Sequence, residues 1–294
     1  MSRKKTTAYA STLLGALLAL GLSAPASAQD DDGFVDRISG IMQLDVTNAY
    51  FFRGILNERE GVQIQPWTEL YFNLYSADDG FIRDVTMGGG LWLSFQSERT
   101  LATESPQWFY EADYYPLLIL GFAGGVSLTT SYIWYDSPNG AFDTVQELNL
   151  RLAWDDSEVN EAFPLKPWVN LAIETHGSTL LPSPGPEYEG QGVQFGIGPT
   201  LYATESGSFS LSAPCEIGLA INNYYEAPGG GENTFGYGSV GLLASMPLSF
   251  VPESAGAWTF SLGGEYLFLS HTLEEINRGR STYPVGTASL SVAF

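Results

Sequence analysis

The stretch Tyr283-Pro-Val-Gly-Thr-Ala-Ser-Leu-Ser-Val-Ala-Phe294 closes the chain and carries the signal from which its fold can be read. Every second residue from Gly286 (Ala288, Leu290, Val292, Phe294) belongs to one, mostly apolar set. Val285, Thr287, Ser289, Ser291 and Ala293 form the smaller, more polar set between them. A period of two is that of a β-strand with two unlike faces. Such a strand needs a neighbour on each edge, because an open row of N–H and C=O groups is a template for aggregation. The expectation is a strand that closes a transmembrane barrel by pairing its residues 286–293 with 43–50 of the first strand, with the rest of the chain supplying the other neighbours.

Outward from that strand the same pattern recurs. From residue 40 onward about twelve segments of roughly 10–14 residues alternate in this way, separated by Gly, Pro, Asn, Asp and Ser. They are 40–52, 62–75, 84–96, 108–121, 125–135, 144–154, 166–176, 192–203, 208–222, 235–248, 257–270 and 283–294. The connectors after even segments are mostly short and those after odd segments longer and richer in acids, Gly and Pro. Outer-membrane barrels show this asymmetry, with short periplasmic turns and longer external loops. The exception is residues 155–165, which read as either a plug or a long turn. Pro66, Pro116, Pro199, Pro214 and Pro247 fall in or near segments, and each removes a ladder donor, so bulges are expected there.

The placement of charge separates a membrane barrel from a soluble sandwich. Met42, Leu44, Val46 and Phe52 share one face of the first segment, against Gln43, Asp45, Thr47 and Arg53. In 144–154 Leu148, Leu150, Leu152 and Trp154 oppose Glu147, Asn149 and Arg151. The charges Asp45, Arg53, Glu69, Glu111, Asp113, Glu147, Arg151, Glu174, Glu216 and Glu265 all lie on the less apolar parity. A lipid-facing charge near the midplane costs about 2–4 kcal/mol, which confines charges to the lumen of a barrel. These ten are the expected pore-lining residues, with Leu290, Val292 and Phe294 marking the closing strand and its terminal signal. Aromatics gather at segment ends, as in interfacial belts: Tyr50-Phe51-Phe52, Trp108, Trp134-Tyr135, Tyr224-Tyr225, Phe235 and Tyr283 at one rim, and Trp154, Trp168, Tyr202, Phe250, Trp258 and Phe294 at the other.

The N-terminus has a different character. Arg3, Lys4 and Lys5 precede the apolar run 13–22, and Ala26-Ser27-Ala28 is a small-residue cleavage signal. Residues 1–28 therefore read as an export signal, 29–39 as a polar leader and 40–294 as the barrel. Removing that signal leaves 266 of the 294 residues, with nine Lys and Arg against 33 Asp and Glu. A chain so acidic lacks the basic patch that nucleic acid requires. No apolar run after the signal approaches the roughly 18 residues of a spanning helix. The lone Cys215 allows no intramolecular disulfide and does not suffice for a multi-cysteine metal site. No cofactor is expected.

Catalytic motifs are sparse. Gly236-Tyr-Gly-Ser-Val-Gly241 matches the dinucleotide pattern, but an alternating strand follows it where a helix is required. A membrane hydrolase would need one of two histidines, His176 on the lumen parity or His271 at a loop, and there is no G-x-S-x-G elbow. Glu111 and Asp113 share a strand face and read more simply as lumen lining than as an acid–base pair.

The run Leu44-Asp-Val-Thr-Asn-Ala-Tyr-Phe-Phe-Arg-Gly-Ile55, followed by Val62-Gln-Ile-Gln-Pro-Trp67, resembles the opening of the TorF-like porin family of proteobacterial outer membranes. The likeness covers the first hairpin and implies a porin-like barrel without specifying its solute. Phe294 is similar to the C-terminal aromatic by which barrel assembly machinery recognises its clients. The expected function is an outer-membrane channel for passive diffusion of small solutes, weakly cation-selective because acids outnumber arginines on the lumen parity. The alternative is a closed structural or adhesive barrel with acidic ligand-binding loops, favoured by the bulky lumen candidates Trp67, Tyr71, Trp92, Tyr115, Tyr135 and Trp168. Its partners would be outer-membrane lipid, the assembly machinery and small solutes.

Overall fold

The computed structural model describes residues 37–98, 101–178, 190–227, 231–232 and 234–294. The export signal and most of the leader lie outside the described residues. Twelve wall strands follow in chain order: β1 (Ile38–Thr47), β2 (Gln63–Ser76), β3 (Ile82–Gln96), β4 (Phe109–Phe122), β5 (Val126–Asp136) and β6 (Val145–Trp154). The second half comprises β7 (Trp168–His176), β8 (Gln191–Ile197, continued by Thr200–Ala203), β9 (Ser210–Ser212, continued by Cys215–Asn222), β10 (Phe235–Pro247), β11 (Ala257–Leu269) and β12 (Thr282–Ala293). Each is antiparallel to the next, and β12 returns to β1, so the sheet closes on itself with no free edge.

The closing ladder pairs Ile41 with Ala293 through Thr47 with Thr287. The expected pairing of 286–293 with 43–50 is thus shifted by two residues, which preserves the faces because the strand period is two. Beyond the ladder, Gly40 and Phe294 exchange N–H···O bonds of 2.8 and 3.0 Å. β1 also stops earlier than its pattern suggests. Asn48 turns the chain, and residues 50–58 leave the wall for the interior.

The exterior is apolar: Met42, Leu44, Val46, Leu70, Leu118, Leu152, Ile217, Leu242, Leu262 and Leu290 are all exposed on the outer face. In water such a surface would be a large unfavourable patch, whereas against lipid it is the complement of the hydrocarbon. Among the described residues no helix is long and apolar enough to cross a membrane.

Prolines disturb the wall less than expected. On either side of Pro66 the β2–β3 pairs Ile64–Phe95 and Trp67–Trp92 keep one register, and the same holds around Pro116 for Tyr114–Trp134 and Leu117–Ser131. Each proline removes local ladder contacts without inserting a bulge. Pro199 and Pro214 instead interrupt β8 and β9 beside one another, and Ala213 N–H donates to the Pro199 carbonyl at 3.0 Å across the break. One register shift, between Thr200 and Tyr202, adjoins Pro199, and the other bulges lie elsewhere. One, between Gln146 and Glu147 in the β6–β7 ladder, pairs Gln146 with His176 and Glu147 with Glu174. It turns His176 to the exposed outer face, away from the lumen side on which simple alternation would place it. His271 is likewise exposed, in the short helix α1 (His271–Ile276), near Glu274 and Glu275.

Residues 155–167 form a compact turn, not a plug. Asp156, in a 3₁₀ turn, accepts the N–H groups of Leu165 and Lys166 at 3.1 and 2.9 Å. Burial works to raise the Asp156 carboxyl's pKa, but those backbone donors outweigh it and hold the group below the usual carboxylate range.

Several lumen aromatics lie flat over glycines of the next strand. A Cβ on Gly236 would sit 2.1 Å from the Tyr225 ring, one on Gly218 2.1 Å from that of Tyr237, and one on Gly196 2.3 Å from Trp168. This explains Gly236 as a strand glycine, and β10 runs on through Gly238 and Gly241 with no helix after them, the reading preferred over a dinucleotide site. Gly236→Ala is expected to cost about 1–3 kcal/mol through overpacking. Detergent unfolding of the purified variant checks this, and an unchanged midpoint would mean that Tyr225 can move aside.

Candidate lumen site

The interior is built around a feature that lies inside the wall. Tyr50–Phe52 pairs with Ile55–Glu58 as an inner hairpin, with Phe52 opposite Ile55. Its two-residue turn, Arg53-Gly54, has φ of +47° and +82°. Positive φ at both positions is the type I′ pattern that suits the twist of paired strands. Alternation alone made residues 40–52 look like one wall strand, so Phe52 was expected to face lipid and Arg53 to project from the wall. The missed signal was local: Phe51-Phe52-Arg53-Gly54-Ile55-Leu56 places an X-Gly turn between two apolar pairs.

Arg53, at the tip, binds Glu147 of β6 through both guanidinium ends, with Nη1–Oε2 at 2.5 Å and Nη2–Oε1 at 2.8 Å. Glu147 is completely buried. It also accepts from Tyr135, Tyr224 and Asn149 at 3.2, 3.1 and 2.7 Å. Arg53 further donates to the Tyr224 hydroxyl and to Asn149 Oδ1. Asn149 passes the network on to Asn170, and Asn170 to Gln194, at 2.8 and 2.7 Å. Backbone contacts fix the tip from the other side. Tyr225 OH donates to the Arg53 carbonyl at 3.2 Å, and Asn277 Nδ2 to that of Gly54 at 2.6 Å. Above the tip, Phe51, Ile55, Tyr224, Tyr225, Leu267 and Leu273 form an apolar cluster.

The other charges expected to line the lumen lie in separate settings. Glu69 accepts from Tyr115 at 2.6 Å and from Tyr71, Glu111 accepts from Tyr50 at 2.8 Å, and Glu216 accepts from Tyr237. Asp113 is buried beside Glu111 on β4. Asp45 accepts from Gln43 at 2.8 Å, and Glu174 from Gly190 N–H at 2.7 Å. Arg151 stacks on Trp168, 3.8 Å from the ring centroid, and its Nε and Nη2 have no hydrogen-bond partner. Glu265 has one oxygen, Oε2, likewise without a partner. With 12 Lys and Arg in the chain against 33 Asp and Glu, tyrosine hydroxyls take the place that arginine or lysine would fill beside Glu69, Glu111 and Glu216.

The expected aromatic rim is therefore partly an interior. Tyr50, Phe51, Tyr135, Tyr224, Tyr225 and Tyr283 are buried in the barrel, while Trp108 and Phe235 at the same end, and Trp154, Tyr202, Phe250 and Phe294 at the other, are exposed. An apolar group on β1 to β6 (Ile41, Tyr71, Tyr115, Leu117, Ile133 and Tyr135) fills much of one side of the lumen. Across the ring, β10–β12 present Ser239, Ser245, Ser261 and Thr287.

No family model matches the chain, and no curated protein matches it. Solved structures with a similar trace include the NanC porin, at 9% identity and a TM-score of 0.43 over 87% of this chain and 98% of that one. An outer membrane channel from Pseudomonas putida F1 matches at 9% identity and 0.45, over 87% and 95%. The β domain of the Bordetella autotransporter Brka matches at 10% and 0.38, over 87% and 98%.

Proposed function

We propose that the chain is a bacterial outer-membrane channel that passes small polar solutes by diffusion, with a weak preference for cations. The observation that carries this is the set of buried lumen side chains with polar atoms lacking a protein partner: Gln65, Ser94, Gln96, Asp113, Ser131, Arg151, Asn170, Gln194 and Glu265 among them. Buried polar groups are almost always hydrogen-bonded, so a wall lined by unpartnered ones suits an interior shared with water and polar solutes. The cation preference follows from eight inward acids against two arginines, of which Arg53 is already bound to Glu147. The likeness of residues 44–55 and 62–67 to TorF-like porins agrees with this reading. The exposed Phe294 at the end of β12 would serve the assembly machinery.

Planar-bilayer recording under a KCl gradient tests the proposal. A reversal potential of the sign for K⁺ permeation is expected, and anion preference or no conductance would overturn it. The inner hairpin and its apolar cluster favour one second reading, a barrel closed at the end away from the termini, with its acidic loops as the working surface. Swelling of liposomes in small sugars or amino acids separates the two, since a closed barrel gives none.

A further inference from the structure

One patch of the lumen concentrates unpartnered groups. On β2 and β3 the inward positions pair directly: Gln63 with Gln96 and Trp67 with Trp92, with Gln65 and Ser94 between them. Glu58, on the returning limb of the inner hairpin, is buried with them. Asp113 of β4 is the register partner of Trp92. Within this patch Glu58 Oε2, Gln63 Oε1, Gln65 Nε2, Ser94 Oγ, Gln96 Oε1, Gln96 Nε2 and Asp113 Oδ1 all lack partners. Other atoms of the same side chains are held. Gln63 Nε2 donates to the Glu60 carbonyl at 2.9 Å, and Glu58 Oε1 accepts from the N–H groups of Arg59 and Glu60 at 2.8 and 2.9 Å. The free atoms of Gln63 and Glu58 are therefore not those of mobile side chains. Tyr50, Trp92 and Tyr110 pack together beside them, with Tyr50 and Trp92 ring centroids 5.3 Å apart.

The chemistry of the set discriminates among ligands. A metal cation would be served by oxygens alone and an anion by donors alone. Here amide N–H donors alternate with amide and carboxylate acceptors, next to aromatic faces. Hydroxyl groups both donate and accept, and the C–H faces of a sugar ring pack on aromatic rings. From this juxtaposition we propose that the Glu58–Gln63–Gln65–Ser94–Gln96–Asp113 patch, flanked by Trp92, is a binding subsite for a neutral polyhydroxylated solute. Glu58 belongs to the inner hairpin, opposite Tyr50, so the hairpin supplies one side of the subsite. The inference deepens the channel reading by naming a solute class.

The test uses the full-length protein with glucose as probe, and glycine as a control of similar polarity without the polyol. In bilayers, millimolar glucose is expected to reduce the KCl current of the wild type saturably, and glycine is not. Gln65→Leu and Gln96→Leu keep side-chain volume near its original value and remove the amides. Each is expected to weaken the glucose effect about tenfold, the effect of losing buried hydrogen bonds, measured as a fraction of that variant's own KCl current. Conductance without a glucose effect overturns the subsite and leaves the channel reading intact. If no form conducts, the channel reading fails. The subsite then rests on a saturable glucose-induced change in tryptophan fluorescence in detergent that is lost in both variants, and its absence overturns the subsite too. Leucine variants that only become more stable, with no glucose sensitivity in the wild type, mean that the patch holds water alone.

Discussion

Arg53→Ala is expected to lower stability by about 3–5 kcal/mol, the usual cost of removing one partner from a buried ion pair. The size follows from what is left behind. Glu147 has no exposure to solvent, and its carboxylate would keep only the neutral donors Tyr135, Tyr224 and Asn149. The same change frees the hairpin tip, because Arg53 is the side chain that binds it to the β6 wall. A several-fold rise in channel conductance should therefore accompany the loss of stability. Replacing both partners, Arg53→Met with Glu147→Leu, should recover much of the stability, since no charge is then left buried and unpaired. The increase in conductance should persist in the double variant, because the latch is still absent. Denaturant unfolding in detergent and bilayer recordings on the three variants make the comparison. Wild-type stability and conductance in Arg53→Ala would show that the pair does not hold the hairpin.

Removing residues 282–294 is expected to abolish folding into the membrane. β12 carries ladders on both edges, to β11 from Ala257–Ala293 to Phe268–Thr282 and to β1 from Ile41–Ala293 to Thr47–Thr287. Without it, β1 and β11 would each present an unpaired edge in hydrocarbon, where every unsatisfied backbone group costs several kcal/mol. The deletion should give no heat-modifiable band on electrophoresis and no protease-resistant fraction in vesicles. Leu290→Arg, on the outer face of the same strand, should assemble with a deficit of up to about 2–4 kcal/mol, depending on its depth in the bilayer. A folded, protease-resistant deletion variant would require a different closing partner and overturn the ring as described.

The wall was legible in the sequence because a two-sided strand in lipid obeys a rule that local residues can state. Leu148, Leu150 and Leu152 alternate with Glu147, Asn149 and Arg151, and no tertiary information is needed to know which set meets hydrocarbon. The same rule selected the strand that closes the ring. It failed at Asn48, where the pattern runs on but the chain does not, and at Thr175, where one extra residue in the ladder turns His176 outward. Alternation records which side of a strand a residue occupies, and it is silent on whether the strand remains in the wall.

The lumen was less legible for a different reason. Arg53 and Glu147 lie 94 residues apart, and Tyr224, in the connector after β9, reaches both. Nothing near any of the three in sequence indicates the others. The same is true of Tyr225 against Gly236 and Gly218, whose lack of a Cβ has meaning only when the ring that needs the space is known. The terminal stretch from Tyr283 to Phe294 shows both sides of this division. Its period determined, by itself, a two-faced strand that must be paired on both edges. That it closes on β1 two residues from the expected register, and that Tyr283 turns inward to bind the Asn277 carbonyl beneath the inner hairpin, was decided by the assembled barrel, because register and interior packing are set by partners distant in the chain.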